Sequence, residues 1–229
     1  MKKTGILVAA LIVTILANAQ LHEKIVVKAG ENVAEAVSPN GFYRFPKFTE
    51  GTFTLKNGSK ASAMFNFHIG NGEIEYLGDK GDTMAIGVPD DIANVTIGES
   101  TFIYNNKTVI EILAGKEPAK LARRVRIILE NEKKGGYGES APASSQANFK
   151  NFNFATGMFQ LTHDIAIIKT TSYYWADDRN NLTAATKKNS LKLVSKDKQP
   201  KLEAFIEENK TNFNKEDDLR RLVTFAGSL

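Results

Sequence analysis

The chain of 229 residues contains no cysteine, only three histidines, one tryptophan and six prolines. Without cysteine there can be no disulfide, thiolate metal site or cysteine nucleophile, and no lipid anchor attached through a cysteine at a cleavage site. Stability has to come from an ordinary hydrophobic core. Excess charge of either sign is also lacking. The formal net charge is +4, with 30 basic and 26 acidic residues. Such a balance does not point to nucleic acid as a partner. Internal repeats are missing as well, which excludes solenoids and propellers.

Long hydrophobic runs are scarce too, and there is one. Lys2 and Lys3 precede an uncharged, mostly apolar stretch from Gly5 to Leu16, followed by Ala17-Asn18-Ala19. A basic start, a short apolar stretch and small residues at the cleavage positions form the pattern of a secretory signal peptide, cleaved between Ala19 and Gln20. The run falls short of the roughly 20 residues of a membrane span. The expectation is therefore an exported protein, periplasmic, associated with the outer membrane or extracellular, and not membrane-spanning after cleavage. Loss of Lys2 and Lys3 leaves 28 basic against 26 acidic residues.

What is present in abundance is alternation. "GTFTLKNGSKASAMFNF" reads as strand, Asn57-Gly58 turn, strand, and Asn71-Gly72 repeats the device before Ile74, Tyr76 and Leu77. "DTMAIG", "IANVTIG", "STFIYNN", "KTVIEILAG" and "ARRVRIILEN" follow as short runs punctuated by Gly, Asn, Asp or Pro. This spacing predicts a mainly β (α+β) fold, an antiparallel meander forming a sheet or small barrel, and no parallel nucleotide-binding sheet. By this pattern residues 1–19 are the signal peptide and 20–132 the first part of the β-rich domain. Residues 133–147 form a Gly/Ser/Pro-rich flexible loop, and 148–195 supply further strands that complete the sheet, with a turn from Ala176 to Asn181. In 196–229 the period changes. Pro200 opens a helix with Leu202, Phe205 and Ile206 on one face. Asn214 is placed to cap a second, whose stripe is Leu219, Leu222, Val223 and Ala226.

"KKGGYGES" (133–140) does not fit a phosphate-binding loop. Its lysines precede the glycines, and Pro142 with two serines stands where the helix would start. Of the histidines, His22 belongs to a loose N-terminal end. His68 shares a strand face with Asn66, and His163 and Asp164 point to opposite faces, so no metal ligand set and no cofactor is implied. Ser195 and Lys198 match S-x-x-K without the companion motifs of such enzymes. The paired carboxylates Asp90-Asp91, Asp177-Asp178 and Asp217-Asp218 belong to turns or a helix start. No catalytic residue is therefore assigned. Tyr173-Tyr174-Trp175 is the densest aromatic cluster: a candidate sugar-stacking or interface site, or else the edge of a core. Lys187 to Lys201 holds six lysines against one aspartate, a solvated segment or one that meets an anionic surface.

The "FNF" strand, the "GDT" turn, the "IG…F" hairpin and the Lys/Asp/Leu-rich tail "KLEAFIEENKTNFNKEDDLRRLVTF" resemble small exported proteins of the Bacteroidota whose function is unassigned. The resemblance spans most of the chain after the leader. It implies a Gram-negative envelope location and brings no catalytic residues. It also implies that Asp82-Thr83-Met84 fits the short pattern this phylum uses for periplasmic O-glycosylation, at Thr83. Three functions follow as expectations: a non-catalytic envelope module that binds another envelope protein, a carbohydrate or small-ligand binder, and a hydrolase.

Overall fold

The structure is a computed structural model that describes residues 20–37, 40–87, 91–116, 119–131 and 164–229. Among these residues eleven strands make one sheet. They are β1 (Gln20–Val27), β2 (Thr49–Leu55), β3 (Lys60–His68), β4 (Glu73–Leu77), β5 (Thr83–Ala85), β6 (Ile92–Ile97), β7 (Ser100–Asn105), β8 (Thr108–Lys116), β9 (Ala119–Asn131), β10 (Ile165–Ala176) and β11 (Leu182–Ala184). The helices are α1 (Val33–Val37), α2 (Lys187–Ser190), α3 (Gln199–Glu208) and α4 (Glu216–Ser228), with a 3-10 turn at Leu191–Leu193. The protein is thus mainly β, antiparallel throughout, with a helical C-terminal tail. The expected loop at 133–147, the expected strands up to His163 and the expected leader lie outside the described residues.

The sheet is open rather than a closed barrel. Its order is β1-β10-β9-β8-β7-β6-β2-β3-β4-β5, with β11 on β10. Instead of one meander there are two, β2–β5 and β6–β10, joined where β2 pairs with β6. The Asn-Gly turns fall as expected: Gly58 and Gly72 take φ of 87° and 70°, the left-handed region a hairpin turn requires. Gly51 has a different reason to be glycine. A Cβ there would lie 2.2 Å from the Thr96 carbonyl oxygen on β6. β4 lies close to β8 although four strands separate them in the sheet, so the sheet curls and one face becomes an interior.

That inner face carries two adjoining cores. One is built from Val27, Phe65, Phe67, Ile74, Val95, Ile97, Phe102, Val109 and Ile167. Its cover is the chain between β1 and β2: α1 adds Val33, and Phe42 to Phe48 runs along the end of β3. Arg44 N–H donates to the Phe67 carbonyl at 2.9 Å, Ile69 N–H to the Phe42 carbonyl at 2.7 Å, and the Asn66 amide bonds both N–H and C=O of Phe45. This extension buries both faces of the last four residues of β3, where alternation predicts only one.

The other core joins Leu121, Tyr173 and Trp175 of the sheet to Leu202, Ile206, Leu219, Leu222, Val223 and Ala226 of α3 and α4. The expected helical stripes are those found. Three details differ. The residue at the α4 N-cap position is Lys215, with extended backbone, because Asp218 reaches back to accept the Asn212 N–H at 2.8 Å and closes the turn first. The second half of "NNLTAATKKNSLKLV" is not strand: Thr186 accepts the Asn189 N–H and starts α2. His22 is not in a loose end but in β1, opposite Thr170, with its Nδ1 3.1 Å from the threonine hydroxyl.

Candidate functional site

The two cores meet at a line of charge. Cross-strand register puts Glu111 of β8 opposite Arg123 of β9, which is opposite Tyr173 of β10, all on the inner face. Arg123 donates to Glu111 Oε2 at 2.5 Å and to Glu216 Oε2 of α4 at 2.7 Å. From the first core's cover, Arg44 donates Nε and Nη2 to the same Glu111 at 3.3 and 3.2 Å. Arg220 extends the line, holding Glu216 Oε1 at 2.7 Å and the Leu113 carbonyl. Burial alone would raise the pKa of Glu111, but Arg123 and Arg44 outweigh it and hold it below the usual carboxylate range. Burial alone would lower that of Arg123, and Glu111 raises it instead. A carboxylate locked between two guanidinium groups is a poor general base. The line is a structural tie between the two covers.

A second polar cluster lies on the other face of β3 and β4. His68 stacks on Phe42 with ring centroids 5.8 Å apart, and meets Tyr43 edge to face at 4.9 Å. Its Nδ1 accepts the Asn71 N–H at 3.0 Å. Burial pushes its pKa down to about 4, so the ring is neutral near pH 7. Tyr43 donates its hydroxyl to Glu75 Oε2 at 2.8 Å, and burial, then that carboxylate, push the tyrosine pKa up. Tyr43 and Glu75 satisfy one another, and His68 is held by Asn71 and the two rings. Among the described residues no three His, Asp or Glu side chains come together as metal ligands.

A concavity lies elsewhere, on the helical layer. A groove of about 720 Å³ runs between the end of β8, the turn after α2, the start of α3 and the C-terminal half of α4. Leu193, Val194, Val223, Ala226 and Leu229 line it, together with Lys116 from β8 and Lys198 from the start of α3. A hollow of about 220 Å³ adjoins it, shares Ala119 and Leu193, and is bordered by Trp175, Asn181 and Lys192. Sequence reasoning missed this groove because its walls come from three separate stretches of chain, around 115–119, 193–198 and 223–229, none of which marks a site by itself.

The residues singled out from sequence come together only in part. Trp175 is 2% exposed and donates its indole N–H to Ser190 Oγ at 3.1 Å; Tyr173 is 6% exposed. Neither offers an open ring face to a sugar. Tyr174 is half-buried on the other face, beneath the Arg124 guanidinium 5.5 Å from its ring centroid. The cluster is core, with one edge of Trp175 at the hollow. Ser195 and Lys198 both line the groove, but the Ser195 hydroxyl bonds the Asp197 carboxylate, which lowers that acid's pKa. The lysine-rich stretch is also divided. Lys187 is tied to Glu203 and Glu207 at 2.9 and 3.0 Å, Lys198 lines the groove, and Lys192 lines the hollow. The Asp177 carboxylate is used within its own turn, accepting from Arg179 N–H and twice from Asn181. Thr83 is exposed on β5, at the sheet edge. Among the described residues no helix is long and apolar enough to cross a membrane. No family model, curated protein or solved structure matches this chain.

Proposed function

We propose that the protein is a non-catalytic binding module of the cell envelope, exported through its N-terminal leader, and that its binding surface is the groove beside α4. The observation that carries this reading is the division of labour among its groups. The buried charges and polar groups described above are spent on one another, whereas the groove is apolar, lysine-rimmed and open to solvent. A protein partner and a small ligand differ in what would fill it. About 720 Å³ lies within the ordinary range of small-molecule sites, which favours the ligand. A hydrolase has less support, since the Ser195 hydroxyl is bonded to Asp197, whose lowered pKa makes it a weak base.

Gly227 supplies the test. It lines the groove, and a Cβ there would meet nothing within 4 Å, so Gly227→Trp attaches a bulky side chain at the groove with no clash at its Cβ. The protein would be purified from its native cells with and without the substitution, after fractionation of the envelope, and co-purifying molecules identified by mass spectrometry. A component held by the unaltered protein and lost from G227W is expected. A component held equally by both, or by neither, rejects the groove as the binding surface. Recovery in the cytoplasm with the leader attached rejects export.

A further inference from the structure

We infer that the groove takes a single-chain anionic amphiphile, of the kind of a medium-length fatty carboxylate, with its chain along the apolar floor and its head between Lys116 and Lys198. This rests on the proposed binding role and specifies what is bound.

The floor consists of Leu193, Val194, Val223, Ala226 and Leu229, which belong to the 3-10 turn, the segment after it and α4. Apolar surface of this kind rewards an alkyl chain over a compact polar ligand, because each buried methylene tightens binding by roughly four-fold. The polar ends of the groove are not neutral. Among the described residues its lining includes two lysines and no Asp or Glu side chain. Neither lysine joins an ion pair among the described residues, in contrast to Lys187, Arg123 and Arg220. Asp197, next to Lys198 in sequence, is bonded to Ser195 and also feels the Lys198 charge, and both lower its pKa without forming a direct ion pair. Lys192 adds a third ammonium at the adjoining hollow. The two lysines come from the end of β8 and the start of α3, so an anion between them would tie the sheet to the helical layer, as Glu111 and Glu216 do deeper inside.

Charge and shape make separable demands. A cationic amphiphile of equal length meets ammonium groups at the mouth. A shorter carboxylate such as octanoate has the same head but buries about four fewer methylenes than dodecanoate. A membrane surface presents the same anionic heads but no detached chain, and the groove, walled by α4 on one side and the β8 end on the other, fits one chain withdrawn from its neighbours.

The experiment is calorimetric titration of the full protein, as the cell processes it, with dodecanoate, octanoate and dodecyltrimethylammonium, each below its aggregation threshold. A parallel arm measures co-sedimentation with phosphatidylglycerol vesicles. The variants are Lys116→Glu with Lys198→Glu, and Gly227→Trp. The glutamate at the start of α3 suits the helix dipole, so loss of fold is not expected there, and circular dichroism checks it. Saturable dodecanoate binding is expected, weaker by about ten-fold or more in the double charge reversal and lost in G227W. Octanoate and the cationic amphiphile should bind far more weakly, with no vesicle binding. Equal binding of the cationic amphiphile, or vesicle binding without monomer binding, overturns the anionic single-chain assignment. So does the absence of any amphiphile binding. The wider reading survives such a failure if a different native component is still lost from G227W, and falls with it if none is.

Discussion

The two cores on the inner face of the sheet are closed by different means, and the difference locates the open surface. The first is covered by an irregular segment, Phe42 to Phe48, whose N–H and C=O groups must be bonded to something where they are buried. From Phe42 to Phe45 they are bonded to the end of β3 and the residue after it, through Arg44, Ile69 and the Asn66 amide, and so this part of the cover is held by its backbone. The second is covered by α3 and α4, whose backbones satisfy themselves. Helices need only side-chain contact with the sheet, so they can leave a groove at their edge without orphaning any backbone group. A binding surface on this fold therefore belongs with the helical cover.

The sharpest way to break the comparison is to hollow out each core in turn. Phe102 and Leu222 are fully buried, one in each core. Phe102→Ala should cost about 3–5 kcal/mol and Leu222→Ala about 2–5 kcal/mol. Urea unfolding followed by Trp175 fluorescence and by far-ultraviolet circular dichroism tests how far the cores are independent. Trp175 belongs to the second core, while the dichroism reports the whole sheet. The two probes should move together in both variants, because the line of charge spans the boundary. An earlier fluorescence transition in L222A alone would show that the helical cover melts by itself.

That tie can be cut directly. Glu111→Ala leaves Arg44 and Arg123 facing each other without their shared carboxylate, which should cost about 3–5 kcal/mol. Glu216→Ala removes a partly exposed partner and should cost about 1 kcal/mol or less. The pH dependence has a definite sign. The pKa of Glu111 is lower folded than unfolded, so its contribution is present above the ordinary carboxylate pKa of 4.5 and lost as pH falls through the folded value. Denaturant titrations down the acid range should show this loss in the native protein and a flatter curve in Glu111→Gln. An unchanged slope would sink the tie.

The first cover carries a titration of its own that the second lacks. His68 has its pKa lowered from 6.5 to about 4 by burial. Its neutral form therefore favours folding fully above pH 6.5, and this contribution is lost progressively as pH falls towards 4. The full effect is up to about 3 kcal/mol. Acidification should weaken the first core before the line of charge begins to titrate. His68→Gln should flatten stability between pH 6.5 and 4.5; equal slopes in variant and native protein would show that the ring is protonated in the folded state without penalty.

The same contrast explains what the sequence disclosed. Strands such as Lys60–His68 and Ser100–Asn105 were legible because alternation and Asn-Gly turns are local signals, and the α4 stripe because its period is. The pairing of β2 with β6 was not, since a strand's pattern says which face is buried and nothing about which neighbour lies beside it. Nor was β1: Gln20–Val27 has no turn before it and only the buried Val27 to mark its face, and its partner β10 is far along the chain. Tyr173-Tyr174-Trp175 stands out in the sequence as a candidate stacking site or core edge, but alternation could not tell that α3 and α4 would cover one side of it. The groove had no sequence signature, because Lys116 and Lys198 gain meaning only when β8 and α3 meet.

Trp175 gives the smallest and most local test. Ser190 is fully buried; its oxygen accepts the Trp175 indole N–H at 3.1 Å and donates to the Thr186 carbonyl at 2.8 Å. Ser190→Ala would leave that indole N–H without a partner in a site closed to water, at a cost of about 1–2 kcal/mol. The change should stay within the helical cover: α2 is a single turn held by the Thr186 cap and by this serine, so its loosening bares the edge of Trp175 that borders the hollow. Acrylamide should then quench the tryptophan more readily in S190A, while the acid-range behaviour set by His68 and Glu111 stays as in the native protein. If quenching and stability are both unaltered, the indole is held by packing alone, and the second core is as firmly closed at this edge as the first is along β3.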